Sequence, residues 1–208
     1  MKLILFFLSL FAFTPSMAQN ADTKTILFFG DSITAGLGVD KSQAFPALIQ
    51  QKIDSLGLNY EAINAGLSGE TSAGGLRRID WVLQRKVDIM VLELGGNDGL
   101  RGIDLSDTKK NLQQIIDKVE AKYPGVQIIL AGMQVPPNLG QDYTREFESM
   151  YPELAEKNDL PLIPMVMNKV GGNEELMQGD GIHPTPKGHQ VIAETIWQQV
   201  KPLLKSQS

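Results

Sequence analysis

Ser32, Asp180 and His183 are the residues of this chain whose types and spacing can do covalent chemistry. A serine hydroxyl is a poor nucleophile until a base within hydrogen-bond reach takes its proton. The chain has two histidines, His183 and His189, and no cysteine. His183 can take the Ser32 proton through one ring nitrogen. Asp180, three residues earlier, can hold the other nitrogen and set the tautomer. A tetrahedral intermediate on Ser32 carries an oxyanion that needs donors already in place. The backbone N–H groups of Ser32 and Gly69 and the side-chain amide of Asn97 are candidates. Gly69 suits a place where backbone comes close to a substrate. Taken singly, each residue has a plainer reading: Ser32 as a helix cap, Gly69 as a turn, His183 as a bonded loop histidine.

This chemistry needs elements that bring distant residues together. From residue 20 onward, short apolar runs alternate with segments of helical period. Strands are predicted over 25–29, 59–64, 87–94, 126–130 and 160–164, the last interrupted by prolines. Helices are predicted over 43–56, 72–86, 107–123, 142–157 and 186–204. The third is the clearest: Leu112, Ile115, Ile116 and Val119 share a face, and Pro124-Gly125 ends it. Thr185 can cap the last helix, with Pro186 in its first turn. His189 is placed on the solvent face of that helix, and Trp81 and Trp197 are read as packing residues.

Helices between successive strands imply right-handed crossovers and a parallel sheet covered on both faces. The expected fold is α/β: a three-layer α/β/α domain on a five-stranded parallel sheet, flavodoxin-like in strand order. Such a sheet presents the C-terminal ends of its strands at one edge, where ligands bind. Gly30-Asp31-Ser32, Ser68-Gly69-Glu70-Thr71 and Gly95-Gly96-Asn97-Asp98 follow the first three strands, and Asp180-Gly181-Ile182-His183 follows the fifth. Topology thus places four segments, far apart in sequence, on one rim.

Composition sets the outer limits. The chain has 208 residues, 42% of them hydrophobic, enough for one core and a single domain over 19–208. Absence of cysteine removes disulfides and thiolate metal sites. A formal charge of −5, with no basic cluster longer than Arg77-Arg78 or Lys109-Lys110, argues against a nucleic-acid partner. Residues 1–18 read as a secretory signal: Lys2, an apolar run over 3–13, then Ser16-Met17-Ala18 with small residues at the cleavage positions. The apolar run falls short of the roughly 20 residues that span a bilayer. An exported protein, periplasmic or extracellular after cleavage, is the expectation. It is expected to be monomeric, with at most transient contact with a membrane surface.

The four blocks together resemble the SGNH (GDSL-type) hydrolase family. Ser32, Gly69, Asn97 and His183 stand at the positions that name the family, and Asp180 matches its third triad member. Gly66-Leu67-Ser68-Gly69-Glu70-Thr71-Ser72, Glu93-Leu94-Gly95-Gly96-Asn97-Asp98-Gly99-Leu100-Arg101-Gly102 and Asp180-Gly181-Ile182-His183-Pro184 are similar to the acyl-CoA thioesterase I, lysophospholipase and arylesterase branch. The likeness covers nearly all of the chain after residue 25. It implies hydrolysis of acyl esters, thioesters or lysophospholipids through an acyl-serine intermediate, with no cofactor and no metal. It also implies a substrate-binding role for Asp98, Gly99, Leu100, Pro136 and Pro137, and Gly99 to Gly102 matches a mobile loop of the family that closes on an acyl chain. Ile33 replaces the family's usual leucine, and the stretch 134–140 is shorter and richer in proline, so chain-length preference does not carry over.

Two other functions fit parts of the pattern. A carbohydrate O-deacetylase of the same superfamily would share the blocks. A non-catalytic nucleotide- or flavin-binding module would share the fold, but Gly36-Leu37-Gly38-Val39-Asp40-Lys41 lacks the last glycine of the dinucleotide fingerprint. The Gly-x-Ser-x-Gly elbow is also missing, because Thr34 stands at the second glycine position.

Overall fold

The computed structural model describes residues 23–205; the signal-type segment lies outside the described residues. Five strands form one parallel sheet in the order β2-β1-β3-β4-β5. They are β1 (Lys24–Gly30), β2 (Tyr60–Gly66), β3 (Ile89–Glu93), β4 (Gln127–Ala131) and β5 (Leu162–Ile163). The helices are α1 (Ser32–Ala35), α2 (Phe45–Ser55), α3 (Ser72–Val82), α4 (Gly96–Leu100), α5 (Leu105–Lys122), α6 (Gln141–Asn158) and α7 (Pro186–Val200). Helix α2 packs against α7 on one face, while α3 packs against α5 and α5 against α6 on the other. The three-layer, flavodoxin-like expectation holds.

Burial explains the strand sequences. Strands β1 and β3 are covered on both faces, so Ile26, Phe28, Val91 and Leu92 have almost no exposed surface and the runs do not alternate. Edge strand β2 is only partly buried and carries Glu61 and Asn64. Register aligns the ends that matter: Gly30 lies opposite Gly66 on one side and Glu93 on the other. The chain therefore leaves β1, β2 and β3 at the same rim.

Two short helices, α1 and α4, begin at that rim and have no amphipathic period to announce them. Asp31 caps α1 by accepting from Ile33 N–H at 2.9 Å, and Gly36 ends it in the left-handed region at φ 77°. Thr185 caps α7 by accepting from Gly188 N–H, with Pro186 at its start. Two placements differ from expectation. His189 is fully buried, not on the solvent face, because it shares a helical face with Ile192, Ala193 and Ile196. Trp81 is 71% exposed, because the inner face of α3 is taken by Ser72, Gly75 and Ile79; Trp197 packs partly buried against the core.

Candidate active site

Ser32 is the first residue of α1, and its side chain is nearly enclosed. His183 comes from the loop before α7, 151 residues away in sequence, and its Nε2 lies 2.9 Å from Ser32 Oγ. Its Nδ1 lies 2.6 Å from Asp180 Oδ2. Asp180 turns its other oxygen to the backbone, accepting from Ile182 N–H at 2.9 Å and His183 N–H at 3.0 Å. The ring hydrogen bond and these two N–H groups hold the Asp180 carboxyl well below the usual carboxylate range. An ionised Asp180 fixes the His183 proton on Nδ1 and leaves Nε2 as the acceptor for the serine proton.

The loop that carries His183 is braced rather than free. Gln178 N–H donates to His183 O, and the Gln178 side-chain amide donates to both Leu37 O and Pro184 O at 2.8 Å. That amide ties the histidine loop to the segment just past α1. Gly38 makes room for it, since a Cβ there would meet Gln178 Oε1 at 2.2 Å.

The three candidate oxyanion donors follow β1, β2 and β3 at the same rim. The backbone N–H groups of Ser32 and Gly69 have no hydrogen-bond partner among the described residues. Gly69 has φ 77°, and its carbonyl accepts from Arg101 Nη2 at 2.9 Å, which ties the β2–α3 loop to the end of α4. Asn97 Nδ2 donates to Glu70 O at 3.0 Å and to Asp31 Oδ2 at 3.2 Å. Both of its N–H bonds are thus engaged, and giving one to an oxyanion means exchanging the longer contact with Asp31. Asp31 itself is buried, which pushes its carboxyl up to about 6 despite the Ile33 N–H it accepts.

A cleft of about 370 Å³ opens beside Ser32 and His183. Its walls are mainly apolar: Leu100, Met133, Val135, Pro136, Met167 and Met177. A site of this size suits the apolar part of a small ligand. Leu100 and Pro136 line it. Asp98 and Gly99 do not. Asp98 is fully buried and faces inward, accepting from Ser72 N–H at 2.8 Å, Ser72 Oγ at 2.5 Å and Thr108 Oγ1 at 3.3 Å. Gly99 is packed beneath Val135 and Phe147, where a Cβ would come within 2.3 Å of Val135 Cγ1. Residues 96–100 form a short helical turn, which takes in the first two residues of the 99–102 loop. Pro137 opens a 3-10 turn, Pro137–Leu139, and its side chain lies outside the described residues. Met167 and Met177, which sequence reasoning missed, come from the aperiodic stretch between β5 and His183, where no pattern marks them. Among the described residues no three His, Asp or Glu side chains gather as a metal-ligand set.

A hydroxyl, an imidazole and a carboxylate in line, with free amide donors at the same rim and an apolar cleft alongside, can transfer an acyl group to water. On a doubly wound parallel sheet this defines a class: a hydrolase with its site at the C-terminal rim. Comparison with known proteins gives the family. Residues 28–191 match the GDSL-like Lipase/Acylhydrolase family. The chain is similar to Esterase TesA of Pseudomonas aeruginosa, 41% identical over 189 residues, covering 90% of this chain and 93% of that one. It is also similar to Thioesterase 1/protease 1/lysophospholipase L1 of Escherichia coli K12, 38% identical over 191 residues, covering 91% and 89% respectively. Among solved structures it superposes on the esterase EstA from Pseudoalteromonas sp., inhibited by monoethylphosphonate, with a TM-score of 0.82 and 33% identity, covering 86% and 98%. The chain belongs to the GDSL-like lipase/acylhydrolase family and is a carboxylic ester hydrolase.

Proposed function

We propose that the protein hydrolyses esters of a single acyl chain, lysophospholipids among them, through an acyl intermediate on Ser32. The observation that carries this reading is the continuous contact from Ser32 Oγ to His183 to Asp180, at 2.9 and 2.6 Å, at the mouth of an apolar cleft. Ser32 Oγ attacks the carbonyl carbon as its proton passes to His183 Nε2. The oxyanion takes the free N–H groups of Ser32 and Gly69, and the Asn97 amide turns to it from Asp31. His183 then returns its proton to the departing oxygen or sulfur, leaving acyl-Ser32. Water enters, gives a proton to His183 and attacks the same carbon. Collapse of the second intermediate frees the acid and restores the serine. Asp180 remains ionised and holds the ring throughout.

The cleft walls favour an acyl chain over an acetylated sugar, whose hydroxyls would find few partners among methionine, leucine, valine and proline. Residues 1–18 support export before the enzyme works. Among the described residues no helix is long and apolar enough to cross a membrane. Purified from an exporting host, the mature chain is expected to begin at Gln19 by mass spectrometry.

The decisive comparison is wild type against Ser32→Ala on p-nitrophenyl esters, acyl-CoA, lysophospholipids and acetylated glycans. Turnover of medium-chain esters is expected to fall by on the order of 10⁴–10⁶ in the variant, and a fluorophosphonate that labels the wild type is expected not to react. Near wild-type turnover by Ser32→Ala, or a preference for acetylated glycans in the wild type, would remove this reading.

A further inference from the structure

Glu93, the last residue of β3, is fully buried and takes no part in the steps above. Its Oε2 lies 2.6 Å from Thr34 Oγ1, two residues beyond Ser32. Its Oε1 has no hydrogen-bond partner among the described residues. Gly30 makes room for this carboxyl: a Cβ on Gly30 would stand 2.5 Å from Glu93 Oε2 and 2.1 Å from Thr34 Oγ1. The backbone of Gly30 is not in the left-handed region, so the glycine is required by space and not by φ. The carboxyl thus sits under the turn 30–34, in contact with Thr34 and facing the Asp31 backbone N–H, with Ser32 held between the two.

A buried carboxyl is costly, and a well-packed apolar side chain would fill the same place at lower cost. Its presence directly beneath the nucleophile calls for a use. We propose that Glu93 is a positioning residue: through the Thr34 hydroxyl, its carboxyl holds the turn that carries Ser32 in line with His183. This rests on Ser32 being the nucleophile. The far side of the same turn is held independently, by Asn64 Nδ2 donating to Thr34 O at 2.9 Å and by Gly66, which lets α1 lie directly on β2. Glu93 supplies the support from β3. Burial first, and the Asp31 carboxyl alongside it, push the Glu93 acid well above the ordinary glutamate range.

The test uses Glu93→Gln, Glu93→Leu, Thr34→Val and the Thr34→Val/Glu93→Leu pair in the full chain. The readouts are kcat and KM on a p-nitrophenyl ester, the rate of fluorophosphonate labelling at Ser32, and thermal melting. Glu93→Gln keeps an acceptor oxygen against Thr34 and is expected to stay within about threefold of wild type. Thr34→Val and Glu93→Leu are each expected to lower kcat and the labelling rate about ten- to a hundredfold with little change in KM. The pair is expected to be no worse than the poorer single variant, because the Thr34 hydroxyl contact is already lost in Glu93→Leu. Wild-type kcat and labelling in Thr34→Val overturn the proposal, and so do two losses that simply multiply in the pair. If Glu93→Leu does not fold, Thr34→Val decides alone. Ser32→Ala run alongside separates the two failures: activity there removes the nucleophile itself, whereas its inactivity beside a fully active Thr34→Val removes only the role of Glu93.

Discussion

Replacing His189 by leucine takes a titratable group out of the core, and the structure sets how the effect depends on pH. The His189 ring has no exposed surface and stacks on Phe45, with centroids 6.3 Å apart and planes 26° from parallel. Its Nδ1 accepts from Phe45 N–H at 3.3 Å, so the proton of the neutral ring lies on Nε2, which has no partner among the described residues. Burial, and secondarily the charge on His183, push its pKa down from 6.5 to about 4. Above about pH 7 the ring is neutral in both folded and unfolded chains and contributes nothing to pH dependence. Between pH 6.5 and about 4 the unfolded chain binds a proton that the folded chain does not, so His189 subtracts stability as the pH falls. Below about pH 4 the loss levels off, at about 3 kcal/mol. Leucine has nothing to titrate. It forfeits the acceptor for Phe45 N–H, a cost of about 1–3 kcal/mol that does not vary with pH. Urea unfolding of both proteins at about pH 7.5, 5.5 and 4 reads the difference. The wild type is expected to lead at the highest pH, with the gap closing or reversing at the lowest. A gap that stays constant over this range would refute a neutral, desolvated His189.

Two further perturbations test the carboxyls around the site. Asp98→Ala removes the acceptor that holds Ser72 N–H, Ser72 Oγ and Thr108 Oγ1; a loss of about 2–4 kcal/mol is expected, seen as a fall of roughly 5–15 °C in Tm, and an unchanged Tm contradicts the network. Asp31 ionises near pH 6 in the folded protein but near 3.8 in the unfolded chain, so the folded state resists its charge at neutral pH and is relieved on acidification. The stability of Asp31→Asn relative to wild type is therefore expected to be greatest at about pH 7–8 and to shrink toward pH 4; an advantage that grows on acidification reverses the sign and rules out the assignment.

The readable parts of the fold were those written in periodicity. Leu112, Ile115, Ile116 and Val119 repeat at helical spacing, and all four are buried on α5. Runs such as Ile26-Leu27-Phe28-Phe29 are too short and too apolar to be anything but strands covered on both faces. The same signal, followed one residue further, would have placed His189 inside: it is spaced from Ile192, Ala193 and Ile196 as a core residue is. It is buried there, and burial depresses its pKa. The helices α1 and α4 were missed because helices of four and five residues have no period to detect. They are made by caps, glycines and the strand ends they follow.

By itself the sequence determined the alternation of strand and helix, and hence the rim on which Ser32, Gly69, Asn97 and His183 meet, because parallel strands joined by right-handed crossovers admit few other arrangements. Only tertiary structure decided which neighbouring polar groups face the cleft and which face the core. Asn97 and Asp98 are adjacent in sequence, yet one presents its amide beside Ser32 and the other is sealed beneath Ser72 and Thr108. Within one helical turn, successive side chains leave the axis about 100° apart. Which of them meets solvent, substrate or another carboxyl is set by the packing of residues distant in the chain.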